Sequence, residues 1–321
     1  MIKELLDAAR NLGASDLHLV CGAVPKVRVN GVLQTLNNQL LLAEDTAQCL
    51  EEMGVADLRK EKDFTYCDAG RRFRVNAYLN QDTVALAIRL IPDDIPSLET
   101  LRLPEIVNKF AELRQGLVIV TGATGSGKST TLAALVDRIN ALRYAHIVTL
   151  EDPIEYKHPN RQSLVTQREI GTDTESFATG LRAALRQDPD VIMLGEMRDM
   201  ETMEVALNAA ETGHLVLTTM HTGDATGALV RIMDTCGAKE ELVRSQLASC
   251  IQGVIAQQLL PRVDGGRVAA YEVLVATPAV KNLIREKRLF QIPNYIQTGS
   301  LNGMQNMEMA ILKLRRDGLL K

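Results

Sequence analysis

The sequence predicts an α/β protein in two parts: a smaller α+β domain, then a larger domain built on a parallel sheet. Three observations carry that reading. Up to residue 90 the chain holds short strands whose apolar residues alternate with polar ones, as in an antiparallel sheet with one wet face. From residue 99 onward apolar strands alternate with helical patterns, the signature of parallel strands joined by crossover helices. The first of those strands, Leu117-Val118-Ile119-Val120, runs into Gly122-Ala123-Thr124-Gly125-Ser126-Gly127-Lys128-Ser129 and then into a helical pattern from Thr130 to Leu142.

Taken in order, Ile2, Leu5, Leu6, Ala9 and Leu12 recur at helical spacing, and Gly13 is placed to end that helix. Strands at 17–20 and 26–29 follow, then Asn30-Gly31, a two-residue hairpin signal, and a return strand at 32–36. A helical region is expected from 43 to 62, interrupted at Gly54. Two strands come next. In one, Phe73, Val75, Ala77 and Leu79 face opposite to Arg72, Arg74 and Asn76; in the other, Val84, Leu86, Ile88 and Leu90 alternate against Ala85, Ala87 and Arg89. Arginines therefore sit on the polar face. This domain is expected to span 1–91, with a linker at 92–98, because 91–97 holds two prolines and two acids in seven residues.

The larger domain is expected at 99–321. Its strands fall at 117–120, 147–150, 191–194 and 215–219, between helices near 128–142, 176–186, 200–211 and 225–234. That order predicts a RecA-like α/β fold. The remainder reads as more helical, at 239–259, 279–287 and 303–317, with a strand pair around 267–276.

A strand before and a helix after are what give the G-x4-G-K-S spacing its meaning. Glycines let consecutive backbone N–H groups turn inward around a phosphate, and the helix start adds its own unpaired donors and positive dipole end. Lys128 is placed to reach β- and γ-phosphates, and the Ser129 hydroxyl to complete the shell of a Mg²⁺ ion. With Thr130 closing the motif, 122–130 is the candidate site for ATP and Mg²⁺.

Glu151-Asp152-Pro153-Ile154-Glu155 stands just past the 147–150 strand, at the edge where open α/β sheets hold their ligands. Carboxylates there can position an attacking water or help hold Mg²⁺ through its waters. Asp188-Pro189-Asp190 leads into Val191-Ile192-Met193-Leu194-Gly195-Glu196, a buried strand delivering a carboxylate beside the metal. That pattern is weak alone and strong after an intact phosphate loop. His214 and His221 bracket the next strand. His221 lies past its end, on the same sheet edge, where it can sense a γ-phosphate as a neutral donor or as a cation. His214, at the opposite end, is expected to bridge domains or subunits.

The bulk numbers bound the rest. With 46% hydrophobic and 24% charged residues the composition is that of an ordinary globular protein, and a net charge of −4 weighs against binding nucleic acid by phosphate neutralisation. The five cysteines show no metal-ligand spacing and fit reduced thiols in a cytoplasmic protein. No stretch approaches the roughly 18 apolar residues of a membrane span, and the amino terminus lacks a signal peptide's apolar core.

With these clusters together, the sequence resembles the type II/IV secretion ATPase superfamily, and within it the type IV pilus retraction ATPases of twitching motility. Four boxes stand in order: the phosphate loop (Walker A) at 122–129, the acidic box at 151–155, the Walker B at 191–196 continuing as Met197-Arg198-Asp199, and the His box at 213–221. Gly13-Ala14-Ser15-Asp16-Leu17-His18-Leu19 and Phe73-Arg74-Val75-Asn76 also look like the family. So does Ala279-Val280-Lys281-Asn282-Leu283-Ile284-Arg285-Glu286, which departs from the usual retraction helix at Val280 and Lys281. The resemblance covers essentially the whole chain.

It implies a PAS-like first domain, a RecA-like P-loop ATPase domain and a homohexameric ring with ATP between neighbours. It also implies Glu155 as general base, Glu196 acting near Mg²⁺ and the water, and Arg74 and Arg89 reaching the nucleotide. Arginine suits that task, since its planar cation spreads over transition-state phosphate charge. The implied setting is cytoplasmic, peripheral at the inner face of the cytoplasmic membrane. The implied partners are an inner-membrane platform protein of the pilus machine and a paralogous retraction ATPase, with no nucleic acid and no direct membrane insertion. Assembly-type and secretion-type relatives carry a longer N-terminal region and usually a paired C-x-x-C zinc insertion. Neither is present in this sequence, which favours retraction.

Two other readings remain beside it. A RecA-type DNA or RNA motor would want a basic channel and stacking aromatics, whereas this chain is acidic, 3% aromatic and without tryptophan. A non-hydrolysing, nucleotide-gated adaptor is disfavoured by the intact acids Glu155 and Glu196.

Overall fold

Two sheets organise the chain, and each belongs to one of two units, Met1–Asp94 and Ile95–Lys321. The computed structural model describes residues 1–91 and 94–321; Pro92 and Asp93, inside the expected linker, lie outside the described residues.

In the first unit, α1 (Ile2–Asn11) precedes β1 (Asp16–Val20), β2 (Lys26–Val29) and β3 (Val32–Thr35). Then come α2 (Ala43–Glu52), β4 (Lys62–Asp68), β5 (Arg71–Asn80) and β6 (Thr83–Leu90). The six strands lie in the order β3-β2-β1-β6-β5-β4, every neighbouring pair antiparallel. Asn30 and Gly31 both take positive φ, as the two-residue turn between β2 and β3 requires. Leu17, Leu19, Val75, Ala77, Leu86 and Ile88 are buried against Ile2, Leu5, Leu6 and Ala9 of α1 and Cys49 and Leu50 of α2. The predicted helix over 43–62 stops at Glu52 instead, with the Val55 N–H bonding back to Leu50 O beyond Gly54. Residues 62–68 form an edge strand whose charged ends, Lys62, Asp63 and Asp68, mask its period.

The second unit opens with α3 (Ile106–Glu112), which the sequence did not suggest, and then β7 (Gly116–Thr121) and α4 (Lys128–Leu142). It continues through β8 (His146–Glu151), β9 (Leu164–Glu169), α5 (Phe177–Ala184), β10 (Val191–Leu194), α6 (Met200–Glu211), β11 (Leu215–Met220) and α7 (Ala225–Thr235). The last part holds α8 (Glu240–Cys250), β12 (Ile251–Pro261), β13 (Arg267–Val275), α9 (Pro278–Arg285), α10 (Ile292–Thr298) and α11 (Met307–Arg316).

Its sheet runs β13-β12-β7-β11-β10-β8-β9, parallel throughout except for the β12–β13 pair. Every residue of β7, β10 and β11 is buried, the texture of strands covered on both faces. The expected helix over 239–259 is corrected here: it ends at Cys250, and 251–261 is the strand that pairs with β7 on one side and β13 on the other. Likewise the strand pair placed around 267–276 is one strand, β13, whose partner is β12. Apolar runs such as Ile251 to Ala256 bury equally well in either conformation, so periodicity alone does not separate them.

Candidate active site

Register brings four loops to one edge of the second unit's sheet. Met220 pairs with Thr121, and Leu194 pairs with both Thr218 and Leu150, so the chain leaves β7, β11, β10 and β8 side by side. Parallel strands deliver their carboxyl ends to one edge, which is where such sheets hold ligands.

From β7 the chain enters the loop 122–127, and α4 begins at Lys128. Gly122 cannot be larger: a Cβ there would lie 2.4 Å from the backbone oxygen of Gln257 and 2.6 Å from Ser126 Oγ. The Ser126 N–H donates to Ala123 O at 3.2 Å, while Ala123, Thr124 and Gly125 stay exposed. The Lys128 ammonium is buried and donates to Gly122 O at 2.8 Å and Ala123 O at 3.0 Å. Burial pushes its pKa down, and the nearby carboxylates of Glu196 and Glu155 work against that.

The other loops supply the acids and the histidine. Glu196 follows β10 through Gly195, whose N–H donates to Leu150 O and whose carbonyl accepts the Thr219 hydroxyl. Its carboxylate takes Arg198 Nη2 at 2.8 Å on one oxygen and His221 Nε2 at 3.2 Å on the other. Burial favours the protonated acid, but the Arg198 guanidinium and His221 outweigh it and hold this carboxyl below its ordinary range. His221 Nδ1 lies 3.4 Å from Lys128 Nζ. With the lysine donating to Nδ1, the Nε2–H is left to donate to Glu196, so one imidazole links the cradle's cation to the Walker-B acid.

The acidic box divides its labour. Glu151 is turned inward and 7% exposed, accepting from the Thr149 hydroxyl at 2.7 Å and Gln167 Nε2 at 3.1 Å. Desolvation raises its pKa, and its burial keeps it away from a water at the surface. Glu155 is half-buried and near enough to Lys128 to act on its charge. Its loop is tied down at several points: Tyr156 hydroxyl to Thr130 Oγ1 at 2.9 Å, Ile154 N–H to Glu169, and Gln167 to Tyr156 O and to the His158 N–H.

The residues present suit ATP and Mg²⁺. Ser126 Oγ is buried inside the loop without a hydrogen-bond partner, so it can donate to a phosphate oxygen. The Ser129 hydroxyl is exposed at the first turn of α4, one residue past Lys128, while the Thr130 hydroxyl is already taken by Tyr156. Among the described residues no group of three or more His, Cys, Asp or Glu could hold a metal ion unaided. A Mg²⁺ ion here would therefore rest on Ser129 and phosphate oxygens, with Glu196 nearby, and would supply charge neutralisation for the phosphoryl group.

The site of the second unit thus joins Lys128, His221, Glu196 and the loop 122–130, with Glu155 close by. Arg74 and Arg89 belong to the first unit, directly across from one another on β5 and β6, and Arg89 pairs with Asp16 at 3.1 Å. His214 points its Nδ1 at Ala209 O, 3.0 Å away, so this ring atom is held within its own unit at the end of α6. Sequence reading missed two buried or half-buried glutamines. Gln167 on β9 holds the acidic box, and Gln257 on β12 contacts the phosphate loop. A polar residue closing an apolar run was the one available signal for Gln257, and it was hidden by reading that run as helix.

The model of a family described as type II/IV secretion system protein matches residues 1–265. The chain belongs to that family. Within it, this secretion-family ATPase is 44% identical to the type IV pilus retractation ATPase PilT of Pseudomonas aeruginosa, over 99% of the chain and 95% of that relative. It is 47% identical to a twitching motility protein of Neisseria gonorrhoeae, over 92% of the chain and 82% of the relative. A crystal structure of the pilus retraction motor PilT with bound ADP superposes with a TM-score of 0.87 at 44% identity, covering 99% and 94% of the two chains. The family fold is the one described above, a P-loop ATPase domain preceded by a smaller α+β domain. The activity of this secretion-family member is ATP hydrolysis.

Proposed function

We propose that this chain is the ATP-hydrolysing motor of type IV pilus retraction, working as a homohexamer at the inner face of the cytoplasmic membrane. The observation that carries the reading is the 44% identity to the PilT retraction ATPase along 99% of the chain, supported by the meeting of Lys128, His221 and Glu196 at one end of the sheet. Among the described residues no helix is long and apolar enough to cross a membrane, so contact with the bilayer would run through a platform protein of the pilus machine. A paralogous retraction ATPase is the second expected partner.

In this reading the loop 122–130 cradles the triphosphate, Lys128 meets the β- and γ-phosphates, and Ser129 faces the magnesium. Glu155 orients and deprotonates the attacking water. Glu196, kept ionised by Arg198, serves the metal shell, and His221 transmits the state of the γ-phosphate between Lys128 and Glu196. Arg74 and Arg89 of the first unit spread the charge of the departing phosphoryl. The domains proposed at 1–91 and 99–321 would move as rigid bodies on phosphate loss.

Deletion in the host tests it. Excess immobile pili and lost twitching are the expected result, and complementation with Glu196→Ala should fail to restore movement. Cells without pili would assign the chain to assembly instead, and unchanged piliation and movement would remove it from the pilus machine.

A further inference from the structure

Gln257 is 1% exposed and lies just past the middle of β12. The parallel pairing of β12 with β7 sets Ala256 beside Thr121, so the next residue on each strand brings Gln257 against Gly122. Both ends of its amide are spoken for. Nε2 donates to Ser126 O at 2.5 Å, and Oε1 accepts from the Thr131 hydroxyl at 2.8 Å. Its orientation is unambiguous, because a backbone carbonyl can only accept and must face the NH₂.

The packing repeats the message. The Gln257 carbonyl sits where a Cβ on Gly122 would go, and its Nε2 is 3.2 Å from where a Cβ on Gly127 would go. The side chain thus meets the end of the phosphate loop and the following helical turn, while the residue's own backbone oxygen packs against the loop's beginning. Directly across the β12–β13 ladder, Tyr271 donates its hydroxyl to Leu101 O at 3.0 Å, so the strand that carries Gln257 is itself anchored.

We infer that Gln257 is a positioning residue for ATP hydrolysis, holding the 122–127 loop in the shape that aims its N–H groups at phosphate. It touches no phosphate itself and acts through Ser126, Thr131 and Gly127. A loop whose carbonyl at Ser126 is held from beneath keeps the adjoining peptide planes from rotating, and a cradle of N–H groups works only when those planes are fixed. The inference rests on ATP turnover at this loop and is independent of whether the motor retracts or assembles pili.

The test uses the full chain with two substitutions, read by Mg·ATP turnover and by fluorescent-ADP binding between pH 6 and 9. Gln257→Leu removes both polar contacts at nearly the same volume, and about tenfold weaker nucleotide binding is expected at every pH. Gln257→Glu keeps the acceptor for Thr131 but sets a second oxygen against Ser126 O. The protonated acid can still donate there, whereas the carboxylate cannot, and burial raises the pKa of the new carboxyl. Its activity relative to wild type should therefore fall as pH rises, along a titration that the wild type and Gln257→Leu both lack. A flat ratio for Gln257→Glu would overturn the inference. So would wild-type affinity in Gln257→Leu, or an activity loss that follows loss of helical circular dichroism at the same pH. Turnover by wild type in the same assay checks the ATPase activity separately.

Discussion

The centre and the edges of the seven-stranded sheet do different work. The central strands β7, β11, β10 and β8 lead into the residues proposed to face a nucleotide: Lys128 beyond β7, His221 beyond β11, Glu196 beyond β10 and Glu155 beyond β8. The strands that flank these four, β12 and β9, contribute none of these. β12 and β9 instead carry Gln257 and Gln167, each hydrogen-bonded to the loop that its central neighbour sends out. In the proposed reaction the groups at the centre meet charge that changes, so their removal strikes the barrier itself. Neutral amides at the edges meet only backbone and buried side chains, so their removal loosens geometry and stability together. The difference teaches that such a site is built by two sets of strands, one delivering the reactive groups and the other bracing the loops that carry them.

The sharpest way to break this contrast is Glu196→Ala. ATP turnover should fall by about a hundredfold or more, the usual cost of losing a positioned catalytic group. The thermal midpoint should hardly move, since the main partner lost, Arg198, is a mostly exposed ion pair. A fall of less than tenfold, measured by phosphate release, would mean that the centre does not carry the chemistry. An intermediate effect is expected at the edge from Gln167→Leu. It takes one of two side-chain donors from the buried Glu151 carboxyl and leaves Tyr156 O without its amide donor, costing about 1–2 kcal/mol of stability by denaturant unfolding. Turnover should drop severalfold as the loop bearing Glu155 loosens, with a larger change in kcat than in KM. If Gln167→Leu instead matched Glu196→Ala in activity at full stability, the division between centre and edge would be lost.

The smallest effect is a pH dependence on the same edge. His158, whose N–H donates to Gln167, is buried with Nδ1 unpartnered, and burial, helped by Arg161, pushes its pKa down to about 4. The folded chain therefore binds fewer protons than the unfolded chain between about pH 4 and 6.5. Stability from this group is whole above that window and is lost as pH falls through it. Wild type should lose about 1 kcal/mol from this source between pH 7 and 5.5, and His158→Leu should flatten that slope in unfolding curves. An unchanged slope would place the ring outside the buried shell around the acidic box.

Much of the central layer was legible in the amino-acid order. Lys128, Glu196 and His221 each follow an apolar run of strand length, and the phosphate loop has a spacing that few other structures require. The hairpin at Asn30-Gly31 was legible for the same reason, because its backbone demand selects a narrow set of residues. What escaped was whatever lacked a period or a motif. Residues 62–68 pair as an edge strand with charges at both ends, and 251–261 is an apolar run that suits helix and strand alike. The residues of the acidic box did not by themselves tell its carboxylates apart, and only the resemblance singled out Glu155; in the fold Glu151 is buried as a strut while Glu155 acts on the lysine's charge.

By itself the amino-acid order determined the chemistry on offer, because the spacing of glycines, lysine, hydroxyl and acids along one chain is a local property. It also determined the two textures of strand, since alternation and continuous apolar runs are read residue by residue. Only the tertiary structure decided which acid faces inward, which histidine nitrogen meets Lys128 and which the Walker-B glutamate, and that a glutamine more than a hundred residues away supports the phosphate loop. Those outcomes depend on strand register and on what each side chain is buried against, and neither is encoded in the neighbours along the chain.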